Sequence, residues 1–546
     1  MRHIVLLVCL VVLTTFGPRA NAAPLKPGAL NKAPRLIIML VIDQLRGDAL
    51  TRHYSRLLPP GTLKRPGGLR YLMSHGAHFP QAEHDTLHGM TGPGHATIAT
   101  GAWPYRHGIV LNGWRSRRTG QYRYCVADKA TTAIGSRGKG RNVSPKTLLG
   151  TTIGDAIKGG APGQKVVSIA IKDRAAVLMG GYRADLALWL EPQSHRWISS
   201  SYYLPKGHLP SWVERLNKSA ETHHPQAGKW RPLGASDGRS STAPDGGLGQ
   251  GSATVNSVWG PWGDSLTARA ALGAINHMKL GQTRGTDLLA VSLSAHDIVG
   301  HRHGHNAREM EEMLVSADRT IAAILRAVAK RVPGGMRDVV VVLTGDHGAP
   351  PAQSYLKAHR LPHGEIARQD MARLLEGAVT KKYGPSPLGR WLTGYSKFEY
   401  FISRSALAKS KVRLSDIERV VAQTLRKHPS IEWVFTRSQA LDGRWPPGLF
   451  GVQAARGWHP RRSGDVIAIP RAFVIQKRDE VSHFTGYSHD RTVPLLFVGR
   501  HVRPGVYPKV VKTVDIAPTL AFLVGVVPPS VSEGRVLGEM LSDGSH

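Results

Sequence analysis

Residues 339–348 read VVVVLTGDHG, a short apolar run that stops at Gly345 and delivers Asp346 and His347 onto a tight turn. A continuous apolar run closed by a turn reads as a strand buried on both faces, as a mostly parallel sheet requires. Four further runs share the pattern: 35–42 (RLIIMLVI), 165–171 (KVVSIAI), 287–293 (DLLAVSL) and 493–498 (VPLLFV). Across about 307–331, Met310, Met313, Leu314, Ala317, Ile321, Ile324, Leu325 and Val328 recur at three- and four-residue spacing. That spacing predicts a long helix with one apolar face, its methionines serving as core packing. Strands separated by helices predict an α/β fold, a mostly parallel central sheet with helices on both faces.

The strand ends matter because acidic residues are scarce: 38 Asp or Glu stand against 72 Lys or Arg, for a net charge of +34. Three of those few carboxylates fall at or just past the end of an apolar run. Asp43 follows the first, Asp297 opens DIVGH after 287–293, and Asp346 precedes His347. In open α/β sheets the carboxyl ends of the strands are where sites assemble. The Asp297–His301 spacing puts both side chains on one side of a helical turn. Carboxylate oxygens with imidazole nitrogens suit Zn²⁺, and several such groups suit a two-metal site.

Length alone allows about two to four domains. Only two Cys are present, which excludes a disulfide scaffold, and Gly and Pro follow no period, which excludes collagen. The positive charge calls for an acidic partner, whether nucleic acid, anionic surface or phosphorylated ligand, and does not choose among them. At the start, Arg2, the apolar run 4–13 and the small-residue site Ala20-Asn21-Ala22 read as a secretory signal over 1–22. The run is shorter than the roughly 20 residues of a membrane span. Export to the periplasm or the medium is therefore expected, with no stable membrane span after cleavage. Cys9 leaves with the signal and Cys125 stays as the single mature thiol.

Two stretches break the strand–helix alternation. Residues 234–258, rich in Gly, Ser and Thr, read as a surface insertion. Residues 115–146 carry nine Lys or Arg against the single acid Asp128. That stretch reads first as a solvated loop, with local attraction of phosphate or a polyanion as the alternative. His303 and His305, in HRHGH, read as a polar loop at the head of the long helix.

Residues 90–101 read MTGPGHATIATG, with the Thr91 hydroxyl just before Gly-Pro-Gly and an apolar helix-like run. A helix start offers free N–H groups to an anion. Alone, Thr91 reads as a helix cap; beside a metal, its hydroxyl becomes a usable nucleophile.

Taken in order, Asp43, Thr91 in TGPGHATIATG, Asn112 in HGIVLNGW, Asp297 with His301, Asp346 with His347, and His483 resemble the alkaline phosphatase superfamily. The same order is shared by its nucleotide pyrophosphatase/phosphodiesterase branch. Lys172-Asp173-Arg174 resembles the bacterial periplasmic alkaline phosphatases that use a Thr nucleophile and a Lys/Arg phosphate clamp. The resemblance runs from about residue 35 to VDIAPTLA at 514–521.

The resemblance implies an alkaline-phosphatase-like fold: residues 23–546 as one catalytic domain, with cap insertions at about 110–160, 195–260 and 365–480. It implies two Zn²⁺ ions, one held by Asp297, His301 and His483, the other by Asp43, Asp346 and His347 with Thr91 beside it. His483 is preferred over His489 in HFTGYSHD for its spacing to Tyr487 and Asp490. Thr91 would form a phosphothreonine, while Asn112, Lys172 and Arg174 bind the non-bridging oxygens. The expected reaction is hydrolysis of small phosphate monoesters, because fixed cations favour a dianion over a diester. The alternative on the same scaffold is a phosphodiesterase or nucleotide pyrophosphatase. Specific nucleic-acid binding is not expected, and no oligomeric state is specified. Two departures stand out: Gly89 replaces a Thr often found there, and 234–258 has no counterpart.

Overall fold

The computed structural model describes residues 32–138, 140–191, 193–222, 258–477 and 480–542. The signal segment 1–22 and nearly all of 234–258 lie outside the described residues. In chain order the main strands are β1 (Leu36–Ile42), β2 (Gly76–Glu83), β3 (Gly113–Arg115), β4 (Tyr122–Tyr124), β5 (Val166–Ala170), β6 (Leu186–Glu191), β7 (Asp287–Leu293), β8 (Val339–Gly345) and β9 (Thr492–Gly499). The helices that matter here are α1 (Thr91–Thr100), α2 (Asp173–Gly180), α3 (Pro261–His277), α4 (Ala295–His303) and α5 (Arg308–Arg331).

An 11-stranded sheet forms the centre, with β2, β9, β8, β1, β7, β5 and β6 side by side in that order. The pairs β8–β1, β1–β7, β7–β5 and β5–β6 are parallel. All seven residues of β1 are buried. Ile37, Met39 and Val41 point into one core, and Leu36, Ile38, Leu40 and Ile42 into the other. The first core packs under α1 and α2, the second under α3 and α5. Burial of one such aliphatic side chain contributes about 1.5–3 kcal/mol, which makes the central strands the rigid part of the molecule. The eight apolar positions picked out on α5 are all buried.

One strand departs from the expectation of parallel runs. The run 493–498 is buried as predicted, but β9 lies antiparallel to β8 and to β2. A continuous apolar run reports that both faces are covered; it carries no information about direction.

Within 365–480, the strands Leu392–Ser396, Glu399–Ile402, Val466–Pro470 and Ile431–Thr436 form a separate four-stranded sheet. It has its own core with the helices Arg368–Tyr383 and Leu414–Arg426. Within 110–160, β3 and β4 pair as a small antiparallel hairpin.

One buried carboxylate lies outside any site. Asp264 on α3 is fully buried, and both its oxygens lack a hydrogen-bond partner of normal geometry. Burial pushes its pKa from 3.8 to about 7, with the Ser316 hydroxyl offsetting only part of that. A folded-state pKa above the unfolded one means the native state holds the proton more tightly. Stability is therefore lost as pH rises from about 4 to 7. Asp264→Asn is expected to stabilise the protein at pH 8 by up to about 4 kcal/mol and to change little at pH 4. Thermal unfolding at the two pH values checks it, and equal shifts at both would remove the titration from the explanation.

Candidate active site

Register brings the sparse acids together. Ile42 of β1 pairs with both Leu293 of β7 and Gly345 of β8, so three neighbouring strands end at one level. Asp43, Asp346 and His347 follow two of them directly, and Asp297 stands in the first turn of α4. Two groups result: Asp297, His301 and His483, and Asp43, Asp346 and His347. Within each, one ligand atom per residue lies within 4.8 Å of the others.

Hydrogen bonding fixes which ring nitrogen faces inward. The Nδ1 of His301 donates to Val481 O (2.7 Å), that of His483 to Gly89 O (2.6 Å), and that of His347 to Gly348 O (2.9 Å). A carbonyl can only accept, so the three Nε2 lone pairs turn toward the carboxylates. His483 Nε2 and His301 Nε2 face each other at 3.2 Å. His347 Nε2, Asp43 Oδ1 and Asp346 Oδ2 are buried without a hydrogen-bond partner. Converging lone pairs with nothing to bond are costly unless a cation sits among them. The donor set of carboxylate oxygens and imidazole nitrogens therefore fits a divalent metal in each group.

With no metal ion among them, these groups perturb one another strongly. Burial would push Asp297 up, yet the Lys172 ammonium, then His301 and His483, hold it well below the usual carboxylate range. Burial, followed by the charge of Asp346, raises Asp43. His347 is pulled up to about 9 against its burial, chiefly by Asp346. Burial and the neighbouring His347 push His483 down to about 3.

Thr91 is the first residue of α1, not its cap. Met90 takes the capping position, and no side chain bonds there. The Thr91 hydroxyl instead accepts from Arg174 Nη2 (3.1 Å) and Lys172 Nζ (3.3 Å). Gly94 lets α1 approach the Asp346 backbone, where a Cβ would meet Asp346 O at 2.2 Å. Gly89 has less room to spare than an open position but more than Gly94: its Cβ would stand 3.1 Å from Asp490 O and 3.2 Å from His347 Cβ, so a larger residue needs a small shift beside His347. Asn112 Oδ1 accepts from Gly92 N (2.6 Å), which leaves its Nδ2 donors for another acceptor.

Lys172 and Arg174 are not a surface turn. Lys172 is buried, and its ammonium lies 2.6 Å from both Asp43 Oδ2 and Asp297 Oδ2, one carboxylate from each group. Arg174 Nη1 reaches the Tyr124 hydroxyl Oη (3.4 Å), and its buried Nε has no partner.

A scan against family models matches residues 37–489 to the type I phosphodiesterase / nucleotide pyrophosphatase family. The chain belongs to that family. It thereby falls in the alkaline phosphatase superfamily. Alkaline phosphatase PafA of Elizabethkingia meningoseptica is 28% identical, with 93% of this chain and 94% of that protein covered. The crystal structure of wild-type PafA superposes with a TM-score of 0.85 over 94% of this chain and 99% of that one, at 27% identity. Alkaline phosphatase PhoK of a Sphingomonas species is 31% identical, with 92% of this chain and 91% of that protein covered. These relatives support a phosphoric ester hydrolase and an alkaline-phosphatase-like fold.

For this member of the phosphodiesterase/nucleotide pyrophosphatase family, the structure brings Asp43, Thr91, Asn112, Lys172, Arg174, Asp297, His301, Asp346, His347 and His483 into one place. His489 stands apart, stacked on Phe473 with ring centroids 5.0 Å apart. Asp490 instead holds the loop of His483, accepting from Phe484 N, Thr485 N and Thr485 Oγ1. Cys125 is buried and its thiol is pushed up to about 12, so it stays an inert thiol.

Several site residues escaped the sequence reading. Gln44, held at φ 64°, gives its backbone N–H to Asp346 Oδ1 (2.9 Å) and its Nε2 to Asp297 Oδ1 (2.7 Å). It thus ties a carboxylate of one group to a carboxylate of the other. His305 is not part of a polar loop: Gly304, at φ 74°, turns it inward, where Nε2 donates to Gln44 Oε1 (2.9 Å). His303 stays outside, 3.7 Å from Glu309. His95 Nδ1 donates to Thr91 O (2.8 Å) and lies 3.2 Å from Asp346 Oδ2. Tyr124 bonds both Arg174 and Asp173, bracing the guanidinium.

Proposed function

We propose that this protein is an exported zinc-dependent alkaline phosphatase that hydrolyses small phosphate monoesters through a phosphothreonine on Thr91. Residues 23–546 act as one catalytic domain, and the insertions at 110–160, 195–260 and 365–480 cap it. The observation that carries the reading is the pair of cationic groups on the Thr91 hydroxyl, Arg174 at 3.1 Å and Lys172 at 3.3 Å. A monoester keeps two negative charges near neutrality, and a fixed guanidinium and ammonium match them better than they match a diester.

Two Zn²⁺ ions would be held by Asp297, His301 and His483 and by Asp43, Asp346 and His347. When bound they supply Lewis acidity that favours the ionised Thr91 oxygen and the departing ester oxygen. The chain does the rest. Thr91 Oγ1 bonds to phosphorus as the ester oxygen leaves, and water then cleaves the phosphothreonine to release phosphate. Arg174 and the free Nδ2 of Asn112 orient the non-bridging oxygens, and the Tyr124 hydroxyl keeps the guanidinium in place. Lys172, which here spans Asp43 and Asp297, has its charge within reach of the same oxygens. Export follows from the segment 1–22; no helix among the described residues is long and apolar enough to cross a membrane.

The second reading, a diesterase or nucleotide pyrophosphatase, is favoured by the description of the matched family. Hydrolysis of an aryl phosphate and of its methyl diester decides between them. Monoester turnover is expected to exceed diester turnover by orders of magnitude, and equal or greater diester turnover would sink the monoesterase reading. Arg174→Ala should cut monoester kcat/KM about 10²-fold or more and diester hydrolysis less.

Gln44 offers a separate check on the paired metal groups. Gln44→Ala removes the amide that orients Asp297 and should weaken zinc retention about 10–100-fold. Competition with a calibrated chelator measures this without any turnover. Unchanged retention would reduce Gln44 to a packing role.

A further inference from the structure

A groove of about 450 Å³ opens on the hairpin face turned away from Thr91. Side chains alternate across a strand, so Trp114 and Arg123 project opposite to Tyr124, the residue that braces Arg174. Six of the nine residues lining the groove are arginines: Arg117, Arg118, Arg123, Arg437, Arg461 and Arg462. They come from three separate parts of the chain, and among the described residues no acidic one lines the groove.

A net charge of +34 leaves many cations without an acidic partner, but here six guanidinium groups gather around one recess. Asp465 lies beneath and bonds Arg117 (3.2 Å), but it also bonds Arg404 (2.6 Å) and Ile402 N. Arg118, Arg123 and Arg461 are exposed and form no ion pair among the described residues. Arg462 is anchored on Gly108 O (2.5 Å) and Thr147 O (2.6 Å), and Arg437 on Pro460 O (2.8 Å). Hydrogen bonds to carbonyls hold these guanidinium groups in place without neutralising them. The crowding is felt locally: burial and then Arg123 push Arg462 down to about 10, and burial with Arg462 pushes His459 down to about 4.

We propose that this groove is a binding site, separate from the catalytic centre, for a condensed phosphate anion such as a linear inorganic polyphosphate. Guanidinium groups match phosphate oxygens in geometry and charge, and anchored ones lose little freedom on binding. Six of them spread around one recess call for several linked phosphates rather than one. Single-stranded nucleic acid fits less well, because sequence-tolerant binding uses exposed aromatic faces for base stacking. The one aromatic lining residue, Trp114, is 4% exposed and has Arg462 over its ring at 5.1 Å. The concave shape also disfavours a flat lipid surface.

The test uses the full mature chain carrying Thr91→Ala, so that the probe is not consumed, with linear tripolyphosphate titrated by calorimetry. Adding Arg118→Gln, Arg123→Gln and Arg461→Gln should weaken binding at least about tenfold and flatten its salt dependence. The same triple substitution in the otherwise native enzyme should leave kcat/KM for an aryl phosphate within about twofold, since none of the three touches the Thr91 site. Circular dichroism checks folding, and the single Arg118→Gln variant, expected to give a smaller loss in the same direction, stands in if the triple variant does not fold. No tripolyphosphate binding, or binding that survives the substitutions, overturns the proposal. So does an equal or larger loss with a single-stranded oligonucleotide or with anionic phospholipid vesicles.

Discussion

Thr91→Ala is expected to lower kcat for an aryl phosphate by at least about 10³-fold while zinc content stays near that of the parent protein. The hydroxyl is buried at the start of α1, within hydrogen-bond reach of both Lys172 and Arg174. Among the described residues no other hydroxyl or thiol bonds both of these cations, and Cys125 close by keeps its thiol protonated. The proposed metal ligands are Asp and His side chains held by partners other than Thr91, the three histidines by backbone carbonyls, Asp346 by Gln44 N, and Asp43 and Asp297 by Lys172, so removing one hydroxyl leaves them in place. Steady-state kinetics with metal analysis on the same sample separates the two effects. Full activity in the variant would move the nucleophile elsewhere, and loss of both zinc and activity would make Thr91 a structural residue.

Withdrawal of metal is expected to have the other large effect. Dialysis against a strong chelator should take hydrolysis to background and lower the melting temperature, with both restored by Zn²⁺. Without a cation, Asp43, Asp297 and Asp346 share a buried volume in which, among the described residues, Lys172 is the one lysine or arginine bonded to their carboxylates. The unpartnered Asp43 Oδ1, Asp346 Oδ2 and His347 Nε2 then carry an uncompensated desolvation cost. Ligand linkage puts the stabilisation from one bound ion at about 4 kcal/mol when free metal is 1,000-fold above its Kd. Calorimetric melting of the apo and reloaded protein tests this directly. Identical melting curves would mean the two groups do not bind metal in a way that matters to the fold.

Much of this site could be read from the chain because its ligands follow strands. A buried apolar run that ends in Asp is conspicuous in a protein so poor in acids, and three such runs converge by register. Tyr124 and Gln44 were invisible for a different reason. Each is a single polar residue whose partner lies far away in sequence, Arg174 50 residues on and Asp297 253 residues on. Gln44 also adopts a left-handed backbone that its residue type does not advertise. The direction of β9 was hidden because burial on both faces looks the same in either sense. His305 was misread because the inward turn at Gly304, rather than local polarity, decides where it points. The basic stretch 115–146 supplied half of the arginine groove. Arg437, Arg461 and Arg462 joined it only through the tertiary packing of the 365–480 segment, which no local pattern predicts.

The proposed reaction turns on a covalent bond between Thr91 and phosphorus. Acid quenching of the zinc enzyme during turnover of an aryl phosphate, followed by mass spectrometry of the peptide containing residues 90–101, measures it. The expected result is a single phosphate on Thr91, absent from Thr91→Ala and from the chelator-treated protein. Turnover at the parent rate with Thr91 unmodified at every quench time, or phosphate on another residue, would contradict it.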